Sequence, residues 1–251
     1  GNLPIFLPPI ETQRTFANAA RPLLQWIEQE KQALESAESF LCGSIREMKS
    51  RFRAQIPTVA FGDLIEIVKH KGHAVSKCSD VRSDINKYPL LRSSRDGRIK
   101  WIPTCDLTER LIAMGDGGEA NVSMCENFNV STHYITFRAR EQVLLPFLYY
   151  SIKSSIAFIN RTFFSGTTLR NLHIPQLMEW QVVIPPLEVQ HELDVEFEKV
   201  WNKKLLLDHL KIRLTQLMDR YIPRAEITEV VPGAAEPVDE STSETSEAPQ
   251  E

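Results

Sequence analysis

The strongest constraint on this chain is a motif that occurs twice. Residues 5–13 read IFLPPIETQ and residues 182–190 read VVIPPLEVQ. Each copy runs from a short apolar stretch through Pro-Pro and an aliphatic residue to Glu-x-Gln. The offset is 177 positions, so Pro8 corresponds to Pro185 and Gln13 to Gln190. Each copy opens a long charged segment with little glycine or proline. Repetition at this level decides architecture. It predicts two like helices with one block of different character between them.

Proline suits the start of a helix, because its missing N–H would be unpaired in the first turn anyway. Glu11 follows where the helix dipole favours a carboxylate. From there the apolar residues fall on a narrow stripe through Leu23, Ile27, Leu34, Ala37, Leu41 and Met48, with Glu30 and Ser44 as polar interruptions and Trp26, Phe40 and Ile45 beside it. After the second motif the stripe runs through Leu193, Phe197, Val200, Leu207, Leu214, Met218 and Tyr221, flawed at Lys204 and Lys211. Alternate steps of four and three make a coiled-coil seam. Pro223 stops the second helix. At about 1.5 Å per residue, helices over 11–53 and 188–221 would run roughly 64 and 51 Å. An antiparallel pair with both ends near one domain is the economical arrangement. The alternative is a pair of amphipathic helices laid separately on a globular core.

The block between is α/β in texture. FGDLIEIV (61–68) alternates and reads as a strand, followed by a polar, basic loop over 69–87. Asp96-Gly97 signals a hairpin before a strand over 98–102. The stretch RLIAMGDGGEANVSM puts a glycine-rich turn between two strands, and residues 131–137 alternate as another. Residues 144–160 read as one helix with Pro146 in its first turn. A glycine turn, a short helix and the strand over 180–184 lead to the second Pro-Pro. The expected fold is α+β: a mixed α/β domain over 56–184, long antiparallel coiled-coil-like helices over 11–55 and 185–224, a strand remnant over 1–10 and a disordered tail over 225–251. That tail is rich in Glu, Ser, Thr, Ala and Pro. The chain has no initiator Met and begins inside what reads as a strand, as expected of a piece of a longer polypeptide.

Net charge is −4, which at first argues against nucleic acid. The tail, however, holds eight acids and no Lys or Arg, leaving the remainder at +4. Residues 56–184 carry 15 Lys/Arg against 12 Asp/Glu, a mildly basic balance that permits DNA binding without demonstrating it. Cys42, Cys78, Cys105 and Cys125 form no CxxC pair, so reduced cytoplasmic thiols are the plain reading. No apolar run approaches the ~20 residues of a membrane span.

Catalytic signatures are absent. No Asn-Pro-Pro-aromatic or Pro-Cys marks a methyltransferase, and Gly115-Asp116-Gly117-Gly118 lies between strands, not before a helix. Glu47-Met48-Lys49 has nuclease-like spacing but sits on a long helix. The six histidines make no metal-binding pair, and no serine sits in a nucleophile elbow. No metal or cofactor is expected in this chain. What remains is binding. Lys69, His70, Lys71 and His73 flank one loop; Arg92, Ser94, Arg95, Arg98 and Lys100 flank another; Thr167, Thr168, Arg170 and Asn171 follow a glycine. Such groups suit phosphate oxygens and base edges, with Arg able to grip guanine through two bonds. Simple solvated loops are the competing explanation.

The duplicated Pro-Pro-Ile/Leu-Glu-x-Gln, each copy opening a long helix, and the stretch SGTTLRNL…IP…VVIPPLEVQ together resemble the specificity subunit of type I restriction–modification systems. FGDLIEIV and YPLLRSS also look like the opening of a target recognition domain. The resemblance covers roughly residues 1–222 and implies a non-catalytic DNA reader. In that family two recognition domains, separated by antiparallel conserved helices, each read half of a split target. The helices fix the spacing and dock modification subunits that carry the S-adenosylmethionine chemistry. Restriction subunits add Mg- and ATP-dependent functions. Here only one recognition domain is complete, which raises the possibility of a homodimer. The rival expectation is a scaffold that assembles a complex through its helices and reads no DNA.

Overall fold

Pro9, extended at φ −50° and ψ 146°, starts α1, which spans Ile10–Phe52. In this computed structural model the described residues are 8–80, 82–92, 100–166 and 170–221, excepting the side chain at position 219. The first-strand expectation over 1–7, the Asp96-Gly97 turn and the tail lie outside them. Lys49 and Arg51 occupy the last turn of α1, where the dipole favours cations. Pro22 interrupts it without ending it.

The second motif behaves similarly but less simply. Leu187–Gln190 form a first turn, α5; a tight 3₁₀ turn over His191–Leu193 follows; then α6 continues over Asp194–Tyr221. The two long helices are antiparallel. Phe16 packs on Tyr221 with ring centroids 6.2 Å apart, and further along Lys203 pairs with Glu30 at 3.0 Å. The expected pairing is thus observed.

The seam differs in detail. On α1, Leu23, Ile27 and Leu34 are half-buried, while Leu41, Ile45 and Met48 are buried. Leu193 of the 3₁₀ turn and Phe197, Val200 and Leu207 of α6 are buried, but the stripe then steps to Leu210, with Leu214 and Tyr221 half-buried. Met218, placed in the seam by its spacing, is 44% exposed, and Leu217 lines the groove against α1 instead. A straight helix drifts about 20° per heptad against a 3.5-residue repeat, enough to hand the seam to a neighbouring position.

The domain follows α1. Strand β1 (Val59–Ala60) pairs antiparallel with β11 (Gln181–Val182), clasping the two ends of the domain together. A four-stranded sheet has the order β2-β8-β5-β6, all antiparallel, from β2 (Ile65–Val68), β8 (Tyr134–Ala139), β5 (Leu111–Gly115) and β6 (Val122–Cys125). A smaller sheet joins β4 (Lys100–Ile102), β3 (Tyr88–Leu91) and β7 (Asn129–Val130), the last pair parallel. Helices α2 (Leu145–Ser154) and α3 (Ile156–Phe163), the short pair β9 (Phe164–Ser165) and β10 (Asn171–Leu172), and α4 (Ile174–Met178) complete the domain.

Three expectations are corrected here. FGDLIEIV is not one strand, since Phe61–Leu64 form a 3₁₀ turn before β2. Leu64 and Ile65 are both buried, which a strand of strict alternation forbids. Residues 144–160 form two helices, because the backbone leaves helical geometry at Ser155, φ −107° and ψ 8°. Strand β8 also starts later than alternation suggested, at Tyr134.

The core is continuous with the helices. Leu41, Ile45 and Met48 of α1, Leu193 of the 3₁₀ turn, and Phe197, Val200 and Trp201 of α6 share one buried cluster with Phe147, Leu148 and Ile152 of α2. The domain therefore sits on one end of the pair. Arg110 fixes it there, 4.1 Å from the Trp201 ring centroid and beside Glu126 and Glu198. Lys204 of α6 donates to the carbonyl of Met124. Burial lifts the nearby Asp208 carboxyl above its ordinary range. Among the described residues no helix is long and apolar enough to cross a membrane.

Candidate nucleic-acid interface

Val130–Tyr134 is the segment on which the polar loops converge. Beyond β2 the chain runs alongside it: His73 N–H donates to the Val130 carbonyl at 3.0 Å, and His70 Nε2 lies 3.1 Å from the Tyr134 carbonyl oxygen. Gly72 is required by this approach, since a Cβ there would come within 2.6 Å of the Thr132 Cα. On another side, Ser131 N–H donates to the Leu91 carbonyl at 2.9 Å, which places Arg92 next to the same segment.

The glycine turn after β5 forms the third wall. Asp116 N–H donates to the His133 carbonyl at 3.2 Å. The Asp116 carbonyl in turn accepts from Leu172 N–H at 2.8 Å, and Gly118 N–H donates to Arg170 at 2.7 Å. Gly118 takes φ +82°, the left-handed region that glycine enters freely. The result is one edge bearing the 69–73 loop, Arg92, residues 131–134, the 115–118 turn and Asn171.

The candidate residues divide by what they touch. Lys69, Lys71 and Asn171 are exposed on this edge, with His70 and Arg92 half-buried. His73 is committed to Asp106, with Nε2 to Oδ2 at 2.7 Å. Lys100 reaches Asp80 at 2.7 Å and only 17% of its side chain is exposed, so it acts within the domain and is not held out for phosphate. Arg170 is likewise taken inward: its guanidinium donates to the carbonyls of Asn160 and Phe164, stopping the end of α3. Ser94, Arg95, Arg98, Thr167 and Thr168 lie outside the described residues.

Sequence reasoning missed four members of this edge. Asp116 looked like part of a plain hairpin turn and His133 like an isolated histidine, while Thr132 and Asn121 fell inside strand and turn stretches with no role assigned. Asn121 Oδ1 accepts from the Tyr134 hydroxyl at 3.1 Å. Asp116 Oδ1 is buried without a hydrogen bond, 3.6 Å from His133 Nδ1. No pattern in the sequence marks them, because residues 131–137 read as one strand whereas the strand itself begins at Tyr134. Among the described residues no trio of His, Cys, Asp or Glu is placed to hold a metal.

A second surface lies at the other end of the helix pair. Ala19, Pro22, Leu23 and Trp26 face Arg213, Leu217 and Arg220 across an open groove of about 560 Å³. Leu24 and Trp26 are 50% and 46% exposed. Among the described residues no domain covers these apolar side chains.

Comparison with known proteins agrees with this layout. No curated protein matches the sequence. The fold is similar to the crystal structure of a type I restriction–modification system S subunit from M. genitalium, with TM-score 0.57 and 15% identity over 84% of this chain. An HsdS subunit from Thermoanaerobacter tengcongensis aligns over 86% of this chain at TM-score 0.45 and 15% identity. This chain spans 59% of the length of each of those two proteins. The sequence model of the type I restriction modification DNA specificity domain matches residues 56–213, more than half of the chain. The chain belongs to the family of type I restriction–modification DNA specificity domains.

Proposed function

We propose that this chain is the non-catalytic, sequence-reading component of a type I restriction–modification complex, binding double-stranded DNA through the edge around Val130–Tyr134. The observation that carries this reading is the convergence: segments far apart in sequence bring Lys69, Lys71, Arg92, His133 and Asn171 to one edge. Lysines supply phosphate attraction, whereas His and Asn offer donors and acceptors to base edges. The recognition domain over 56–184 reads half of a bipartite target. The helices act as spacer and as the dock for modification subunits, which bring S-adenosylmethionine, while restriction subunits bring Mg and ATP. The bare groove between Trp26 and Leu217 favours a further apolar surface there, either another recognition domain or a second copy of this chain.

Duplex binding measured across a salt series tests this. Affinity should fall steeply with salt, since each phosphate neutralised releases counterions. Lys69→Ala with Lys71→Ala should weaken binding without lowering the melting temperature. Salt-independent affinity would count against the reading. The rival is a scaffold that assembles partners and ignores DNA, which the same bare groove favours. Co-purification with a modification subunit but no duplex binding would select it.

A further inference from the structure

The last two turns of α1 and its C-cap carry Arg46, Lys49 and Arg53, spaced by three and four so that they share a helical face. They line a groove of about 380 Å³ with Thr58, with Ser154 and Ser155 at the break between α2 and α3, and with Trp180. No carboxylate lines it among the described residues. Elsewhere the partly buried lysines are matched: Lys153 meets Glu38 at 2.7 Å, and Lys203 meets Glu30 at 3.0 Å. Among the described residues Lys49 has only the Trp180 ring, 5.8 Å away, and burial pushes its ammonium down from 10.5 to about 8. A desolvated ammonium without a carboxylate is the situation that a bound anion relieves.

The groove is also placed to matter. Helix α3 links it to the reading edge: Ser155 and Phe158 at its start border the groove. Its end leads into β9, whose Ser165 pairs with Asn171. Eight residues of helix rise about 12 Å, or three to four base-pair steps at about 3.4 Å each.

We propose that the groove of Arg46, Lys49 and Arg53 binds a phosphodiester stretch of the DNA backbone, outside the base pairs read at the Val130–Tyr134 edge. Guanidinium forks suit phosphate oxygens, with the Ser155 hydroxyl beside them. This rests on the DNA-reading function above. It assigns the groove a positioning role: it adds affinity for any sequence and no discrimination between sequences.

The test uses the full chain and fluorescently labelled duplexes, one selected from a randomised library and one scrambled, over a salt series. Arg46→Gln with Arg53→Gln should weaken binding to both duplexes roughly three- to tenfold at low salt, and flatten the log–log salt slope by about 2, near 0.9 per lost phosphate contact. The ratio between the two duplexes should not change. An unaltered melting curve checks that the variant folds. Unchanged affinity and slope, with the parent still binding DNA, would overturn the groove and leave the reading edge standing. No salt-dependent binding by the parent would sink the DNA-reading function and the groove with it. Intact DNA binding with lost co-purification of a modification subunit would give the groove to an acidic protein partner and refute the proposal.

Discussion

The two Pro-Pro-x-Glu-x-Gln junctions make the same local bond and differ in everything around it. Gln13 Nε2 donates to the Pro8 carbonyl at 2.7 Å, and Gln190 Nε2 donates to the Pro185 carbonyl at 2.8 Å. The glutamine thus ties off the Pro-Pro carbonyl at each helix start, which accounts for its recurrence. At the second junction Gln190 is fully buried, and it also accepts from Leu144 N–H at 2.9 Å and donates to Gln142 at 3.2 Å. Gln13 is half-buried with the local bond alone among the described residues. The motif is a helix-start device that becomes a domain anchor only where a domain is packed over it. Trp201, buried under the domain, and its repeat counterpart Leu24, 50% exposed, repeat the contrast.

The largest test of that contrast is Trp201→Ala against Leu24→Ala. The first should cost about 3–5 kcal/mol, the range for a buried large aromatic. The second should cost less than about 1 kcal/mol, as surface changes do. Urea unfolding monitored by circular dichroism reads both, and equal losses would break the comparison. Gln190→Ala should cost about 2–3 kcal/mol, because it orphans the Leu144 N–H and the Pro185 carbonyl, whereas Gln13→Ala should cost under about 1 kcal/mol. Pro22→Ala sharpens the picture from the other side. It should stabilise by about 1–2 kcal/mol, since proline inside a helix lacks a hydrogen bond that alanine restores.

A smaller effect is expected from Lys49, at the packed end of α1. Its ammonium is held near 8 in the folded chain against an ordinary 10.5. Between those values the unfolded chain binds the proton and the folded chain does not, so stability from this group rises with pH. Below about 8 both states are protonated and the burial penalty is fully felt. The melting difference between the parent and Lys49→Met should therefore narrow as pH rises through this window. A difference independent of pH would contradict the assignment.

Much of the architecture was legible because it rests on local chemistry. Pro-Pro followed by Glu-x-Gln announces helix starts, and Leu41 and Val200 fall where a coiled-coil period places them. The antiparallel pairing followed from both helices serving one domain. The later half of α6 escaped, because Lys211 and Met218 fit the period as well as Leu210 and Leu217 do. Choosing between them needs the partner helix. The proposed reading edge was legible only in pieces. Lys69, Lys71, Arg92 and Asn171 could be named as polar loop residues, but their convergence on Val130–Tyr134 depends on pairings across 60 or so residues (His70 with Tyr134, for example). Arg170 and Lys100 show the converse: an exposed-looking cation in a loop was already engaged, with helix-end carbonyls in one case and Asp80 in the other.

The central claim is that this domain reads DNA sequence, and selection from a randomised duplex library tests it most directly. Rounds of binding to the chain, followed by sequencing, should enrich one short contiguous motif. Enrichment should fade when Lys69, Lys71 and Asn171 are replaced by Ala. Recovery of the library without any enriched motif, at salt where the chain still binds duplex, would contradict the account.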